Sequence, residues 1–163
     1  MESRYFDTPG DHTDHVAEIV ITRLAKEDIS QVVVASSKGS TAKSIYQAIQ
    51  HSSVERQKNI DLIVVTHQAG FREPGKSEFP ESIKKELENA GVAIVTSTHA
   101  LAGVGRAVRK KHGTWQISEL IAETLRTFGQ GTKVCAEITM MAADAGKLSM
   151  DPIIAIGGTG KGA

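Results

Sequence analysis

The chain has 163 residues, of which 40% are apolar and 23% are charged, a balance typical of one compact domain over residues 1–163. Lysine plus arginine equals aspartate plus glutamate at 19 each, and only 4% of residues are aromatic, so we expect neither nucleic acid nor a membrane as a partner. The single cysteine, Cys135, and the lack of a signal-peptide pattern or a bilayer-spanning apolar run lead us to expect a cytoplasmic location.

The first part of the chain alternates helical periodicity with short β-branched runs. We predict a short strand at residues 4–6, followed by a helix at 14–26 that Thr13 caps. A continuous apolar strand at 32–35 is of the kind that is buried on both faces of a parallel sheet. An amphipathic helix at 40–50 follows it.

The alternation continues through the rest of the chain. Further strands are predicted at residues 61–65, 92–96, 133–139 and 153–156. One helix begins at Pro80 and ends at Gly91, and a long loop at 66–79 precedes it. Another helix ends at Gly129 and carries an apolar stripe of Ile117, Leu120, Ile121, Leu125 and Phe128. Strands that alternate with helices predict an α/β fold with a mostly parallel sheet and helices on both faces.

Small, polar and flexible residues are concentrated in the loops that follow strands. These loops are residues 36–42, 66–71, 96–105 and 157–163. In open α/β sheets, ligands bind beyond the carboxyl ends of the strands. We therefore place the candidate site at that edge of the sheet.

The loop after the first long strand, Ser-Ser-Lys-Gly-Ser-Thr, is typical of an anion site. The first amides of a helix have no partner within it, glycine allows close approach, and a nearby lysine supplies charge. Its candidate residues are Ser36, Ser37, Lys38, Gly39, Ser40 and Thr41, with Lys43 as a second cation. The alternative is that Ser40 only caps the helix and Gly39 only makes a turn. We expect Gly39→Glu to abolish anion binding and leave the fold largely intact.

Two glycine-rich stretches resemble nucleotide motifs without completing them. Residues 157–163 lack the first glycine and the final hydroxyl of a P-loop, and residues 103–108 have Val108 in place of the third glycine of a dinucleotide fingerprint. The former is better read as a loop whose amides and Lys161 close over an anion, or as a disordered tail. NAD binding is rejected as the leading hypothesis.

Several side chains have both a catalytic and a structural interpretation. His67 and His99 follow strands and are candidates for proton transfer, although hydrogen-bonded loop histidines are commoner. Glu137 and Asp144 are carboxylate candidates of the same kind, with structural roles favoured. Four further residues could form the walls of a slot for a flat ring: Phe71, Trp115, Met140 and Met141. They could equally belong to an ordinary core, which is the commoner role for such residues. His12 and His15 lack the further ligands of a metal site.

Five segments, taken in order, resemble the stand-alone archaeal and bacterial relatives of the pyruvate kinase C-terminal domain. They are VVVASSKGSTAKSI, LIVVTHQAGF, AIVTSTHALAGVGRAV, KVCAEITMMAADAG and IIAIGGTGKGA. The resemblance implies a three-layer α/β/α fold with strand order 3-2-1-4-5 and an antiparallel last strand. The chain stops at Ala163, so we expect a C-terminal truncation that omits that strand, unless another chain supplies the edge.

The resemblance also implies where a ligand binds. In pyruvate kinase, the corresponding turns hold the phosphates of a sugar bisphosphate effector, and here they are residues 36–41 and the loop of Gly157, Gly158, Thr159 and Gly160. The stand-alone relatives imply FMN as the occupant, with its ring against the loops that carry Thr66, His67, Phe71, Thr98 and His99. Because the catalytic barrel is absent, the resemblance implies no pyruvate kinase activity.

Three functional hypotheses follow. The first is a binding or regulatory domain for a phosphorylated small molecule, with FMN as the leading candidate. The second is a flavin-dependent oxidoreductase that uses His67, His99 or Glu137 in proton transfer. The third is an orphan domain that acts only through a protein partner, and a homo-oligomer remains open.

Overall fold

The computed structural model describes residues 4–8, 10–26, 28–54, 59–160 and 162–163. Its four strands are β1 (Gln31–Ala35), β2 (Asp61–Val65), β3 (Ala93–Val95) and β4 (Ile153–Ile156). They form one sheet in the order β3-β2-β1-β4, and every neighbouring pair is parallel. The predicted α/β class with a parallel sheet is confirmed. The likeness to the pyruvate kinase C-terminal domain stays a prediction.

Six helices accompany the strands in the described part of the chain. They are α1 (Thr13–Leu24), α2 (Ser40–His51), α3 (Glu81–Asn89), α4 (Gly103–His112), α5 (Ile117–Arg126) and α6 (Gln130–Asp144). Among the described residues, none of the helices combines the length and the apolar character that crossing a bilayer requires.

The central strand β1 is buried on both faces, as its continuous apolar run predicts. It pairs with β2 on one side and β4 on the other, with Val33 in register with Ile63 and with Ala155. Val32 and Val34 point to one face of the sheet and Val33 points to the other. This two-sided burial holds β1 at the centre, so the loop that leaves its carboxyl end is firmly placed.

Two helical layers cover the sheet. Apolar residues of α1, α2 and α3, including Leu24, Ile45 and Leu87, form one buried cluster with the first face. Ile138, Met141 and Ala142 of α6 cover the second face. Helix α5 packs against α6, and α4 packs against α5, so these two helices lie outside the second layer.

The amino-terminal predictions need two corrections. Residues 4–6 form no strand. Thr13 lies inside α1 instead of capping it. The N-cap residue is His12, and the Asp11 carboxylate before it accepts hydrogen bonds from the Thr13 amide at 3.0 Å and the Thr13 hydroxyl at 2.6 Å.

The predicted strand at 133–139 is wrong, because these residues lie within α6. The alternation of Val134, Ala136 and Ile138 with more polar residues imitates a strand. Over the longer segment to Asp144, the buried residues recur with a helical period, and Lys133 and Glu137 form an ion pair four residues apart. Burial of one helix face therefore overrides the local strand preference.

Candidate functional site

A cleft of about 550 Å³ opens beyond the carboxyl ends of β1 and β2, between the start of α2 and helix α6. This volume lies within the range of roughly 300–1,000 Å³ that is usual for small-molecule sites. The position is the one that the loop composition predicts for an open α/β sheet.

Most of the predicted site residues line this cleft. They are Ser36, Ser37, Lys38, Ser40, Thr41, Thr66, His67, Phe71, His99, Gly158, Thr159 and Gly160. Gly39, Thr98 and Gly157 do not line it. Lys161 lies outside the described residues, so its predicted closure over an anion stays a prediction.

The turn between β1 and α2 is organised by the side chain of Ser36. Its Oγ accepts hydrogen bonds from the Gly39 amide at 3.1 Å and the Ala42 amide at 3.3 Å. Ser36 is buried, so this hydroxyl acts as an internal cap for the turn and the helix start. Two of the amides expected to face an anion are therefore engaged within the protein.

The remaining amides of the turn are available to a ligand. No described residue accepts a hydrogen bond from the amides of Ser37, Lys38, Ser40 or Thr41, and all four residues line the cleft. Two of them begin α2, where the helix dipole places partial positive charge. The turn thus retains donors for an anion at four of the six predicted residues.

Gly39 has a structural role that the sequence does not reveal. Its φ of +91° is in the left-handed region, and a Cβ atom built there would lie 2.8 Å from Cγ2 of Ile83 in α3. Any side chain at this position would strain the turn and push α3 away. The expectation that Gly39→Glu leaves the fold intact is therefore wrong.

Cationic side chains outnumber carboxylates around the cleft. Its lining includes the cations Lys38, Arg72, Arg106, Arg126 and Lys133, and the carboxylates Asp11 and Glu137. Three of these cations have acidic partners, whereas no ion pair with a described residue is formed by Lys38 or Arg106. In a chain with equal numbers of acidic and basic residues, this local excess favours an anionic ligand.

Three rings cluster at the side of the cleft formed by the loops after β2 and β3. The ring centroids of His67 and Phe71 are 4.0 Å apart, and His99 lies 5.5 Å from His67 and 5.3 Å from Phe71. Phe71 is one of the exposed large apolar residues. The cluster offers a flat, partly apolar surface beside the anion-binding turn.

His67 is held in one orientation by Glu78. The distance between His67 Nδ1 and Glu78 Oε2 is 2.8 Å, and Arg72 Nε lies 2.8 Å from Glu78 Oε1. The hydrogen bond from His67, together with Arg72, lowers the pKa of Glu78, so this carboxylate is an acceptor only. Nδ1 must therefore donate, which leaves Nε2 of a neutral His67 ring as an acceptor.

His99 is kept neutral by its surroundings. Burial lowers the pKa of this imidazole below its ordinary value of 6.5, and the nearby Glu137 carboxylate only partly opposes that effect. A neutral ring at this place suits stacking or a single hydrogen bond better than ion pairing. We assign His99 to the binding surface.

A buried ion pair lies at the floor of the cleft. Lys133 Nζ donates to Glu137 Oε2, and the Leu101 amide donates to Glu137 Oε1 at 3.1 Å. Both charged side chains are less than a tenth exposed. Glu137 thereby connects α6 to the loop after β3, so its oxygens already have structural partners.

The predicted residues that do not line the cleft serve packing. A Cβ atom on Gly157 would lie 2.9 Å from the Gly131 carbonyl oxygen, so Gly157 allows the loop after β4 to touch the start of α6. A Cβ atom on Gly103 would lie 2.8 Å from Thr98 Cγ2. Thr98 therefore packs against the start of α4.

The predicted ring slot is brought together only in part. Met141 lines the cleft with Phe71, but Met140 points to solvent from α6. Trp115 is in contact with the Arg109 guanidinium, which lies 4.6 Å from the ring centroid. Asp144 ends α6, is exposed and does not line the cleft, which agrees with the structural role favoured for it.

Sequence reasoning missed lining residues that come from distant parts of the chain. They are Asp11, Ala35, Val65, Arg72, Arg106, Arg126, Gln130, Lys133, Val134, Ile138 and Gly162. For Arg72 and Arg106, a signal was present, because both lie in the strand-end loops or just after them. For the α6 residues no signal was usable, because that segment was predicted as a strand.

Within the described residues, no group of three or more histidine, cysteine, aspartate or glutamate side chains is placed to hold a metal ion. The chain matches no model of a known protein family.

Proposed function

We propose that this chain is a binding domain for a phosphorylated small molecule, with FMN as the leading candidate, and that it has no pyruvate kinase activity. The observation that carries the proposal is the pairing of free amides at the start of α2 with an excess of cations around one cleft. Phosphate is one of the anions that helix starts commonly bind.

The same cleft has separate places for the two ends of such a ligand. A phosphate would accept hydrogen bonds from the turn of Ser37, Lys38, Ser40 and Thr41, while a planar ring would lie against His67 and Phe71. When bound, FMN supplies one- and two-electron redox chemistry. The protein's contribution is to hold the phosphate, cover one side of the ring and present a neutral His99.

The proposal includes the likeness to the pyruvate kinase C-terminal domain. The observed order β3-β2-β1-β4 agrees with the first four strands of the order that the resemblance implies. The ligand-binding turn implied by that resemblance, residues 36–41, borders the cleft.

Two variants of α2, each with one added negative charge, test the phosphate position. Ser40→Glu adds an acidic side chain at the helix start, which the helix dipole tolerates but a bound phosphate repels. We expect FMN to bind at least about tenfold more weakly, a change of about 1.4 kcal/mol, when flavin fluorescence is titrated with protein.

The matched control is Gln47→Glu, which adds the same charge to an exposed position two turns further along α2. We expect it to bind FMN within about twofold of the unchanged chain, because water and salt screen the added charge at that distance. Equal weakening by the two variants, or no FMN binding by the unchanged chain, would contradict the proposed site.

A flavin-dependent oxidoreductase is the second candidate. The observation in its favour is His67, whose ring orientation is fixed by Glu78 and whose Nε2 is left as a proton acceptor beside the cleft. Bleaching of bound flavin by NAD(P)H, with recovery in air, would support this candidate. His67→Gln should then slow bleaching even at an FMN concentration that saturates the variant.

A further inference from the structure

Helix α5 turns its apolar side to solvent. Ile117, Leu120 and Ile121 recur with a helical period on one side of α5, and Phe128 lies in the turn that follows the helix; we call these four residues the α5 stripe. Ile117 is 78% exposed and Phe128 is 76% exposed. The stripe predicts burial against a neighbour, but no described element of this chain covers it.

The opposite side of α5 explains why the helix does not rotate to hide the stripe. Glu119 and Ala122 are the buried residues of α5. The Glu119 carboxylate accepts a hydrogen bond from Arg109 Nε at 2.7 Å, and the Arg109 guanidinium also contacts the Trp115 ring. A rotation that buried the stripe would expose Ala122 and break this contact between α4 and α5.

The exposed surface is large for a chain of this size. Taking roughly 150–250 Å² for a fully exposed aromatic side chain and somewhat less for an aliphatic one, the stripe presents on the order of 500 Å². Two such surfaces would bury on the order of 1,000 Å² in total, which is about the area that a specific protein interface needs. A standard interface buries about 800 Å² on each partner.

We propose that the α5 stripe is the contact surface of a homodimer, in which α5 packs antiparallel against α5 of a second copy. A two-fold axis near the middle of the helix places Ile117 of one copy opposite Phe128 of the other. It brings Leu120 and Ile121 of both copies to the centre. The stripe is therefore self-complementary, as a two-fold contact requires.

The charges support a second copy as the occupant. The chain has equal numbers of acidic and basic residues, so two copies do not repel each other through net charge. Beside the stripe, Glu123 and Arg126 pair with each other within the same helix. This pair leaves no net charge beside the stripe on α5 itself.

Light scattering during size-exclusion chromatography tests the dimer. We expect the unchanged chain to have about twice the mass of one 17.4 kDa chain. I117E/F128E should be monomeric with an unchanged circular dichroism spectrum, because both side chains are exposed in the single chain. Met150→Glu, at a fully exposed apolar residue outside the stripe, is the matched control and should stay dimeric.

Cross-linking gives a second measurement that does not depend on the folding of the charged variants. In a Cys135→Ala background, Thr124→Cys places a thiol on α5 between the stripe residues, and a short bis-maleimide should join two copies. Gln47→Cys, on an exposed part of α2, should give little cross-linked product at the same concentration.

Three results would overturn the proposal. They are a monomeric unchanged chain at about 100 μM, a dimer that persists in I117E/F128E, and equal cross-linking at positions 124 and 47. A monomer that co-sediments with phosphatidylserine vesicles through the stripe would overturn it in favour of a membrane surface as the occupant.

Discussion

Helices α1, α2 and α3 cover one face of the sheet with an almost wholly apolar cluster, in which Leu24 and Ile45 have no exposed surface. The other face rests on α6, and the buried charged residues of the described chain, Glu119, Lys133 and Glu137, all lie on this side. The comparison teaches that apolar packing holds the face under α1, α2 and α3, whereas buried charge is confined to the side that carries α6. The first face is covered by apolar side chains. On the second face, buried positions of α6 carry the charged residues Lys133 and Glu137, which line the cleft.

The largest effect is expected from breaking the buried ion pair of the second face. Lys133→Met would leave Glu137 buried without its cation, and we expect the free energy of unfolding to fall by about 3–5 kcal/mol. K133M/E137Q should recover most of this loss, because the glutamine oxygen still accepts from the Leu101 amide. Urea denaturation measures both variants. Equal destabilisation of the two would show that packing, and not charge, dominates here.

Removal of apolar volume from the first face should lower stability without altering the cleft. Ile45→Ala is expected to cost about 2–5 kcal/mol, because the side chain is completely buried. Ile138→Ala, on the second face and lining the cleft, is the matched variant. Under conditions where both are folded, only Ile138→Ala should change FMN affinity. Equal affinity losses in the two variants would show that the Ile138 side chain has no specific part in binding.

The smallest effect is a pH dependence contributed by His99. Because burial lowers the pKa of His99 below 6.5, the folded chain binds fewer protons than the unfolded chain as the pH falls through that value. The free energy of unfolding should therefore decrease below pH 6.5, by at most about 1.4 kcal/mol per pH unit from this group. Urea denaturation at pH 7.5 and 5.5 measures the difference.

His99→Asn should flatten that dependence, and His51→Asn, an exposed histidine of α2, should not. Glu78 should add little to the difference between pH 7.5 and 5.5, because its pKa lies below its ordinary value of 4.5. A pH dependence that is identical in the unchanged chain and His99→Asn would show that another group titrates.

The elements that local physics controls could be predicted from the sequence. The strand at residues 32–35 is uniformly apolar, and α3 follows the proline that opens it, so both were found with nearly correct bounds. The turn at Ser36 was also found, since a strand, a glycine and a helix start are adjacent in the chain. What remained hidden was the capture of two amides by the Ser36 hydroxyl.

The features that failed depend on contacts between distant segments. Residues 133–139 are helical because α6 must bury one side against the sheet, which their alternating pattern does not reveal. The place of Arg126 beside the cleft depends on the packing of α5 against α6. The apolar stripe of α5 was correctly located, but its exposure could not be anticipated, because amphipathicity does not say which neighbour covers a helix.

Gly131 and Gly157 fix the distance between the first turn of α6 and the loop after β4, whose neighbouring residues Gln130 and Gly158 line the cleft. A Cβ atom on Gly157 would lie 2.9 Å from the Gly131 carbonyl oxygen, and a Cβ atom on Gly131 would lie 3.0 Å from the Gly157 carbonyl oxygen. The backbones of the loop after β4 and the first turn of α6 are thus in direct contact. Even an alanine at either position would force the loop after β4 and α6 to move apart.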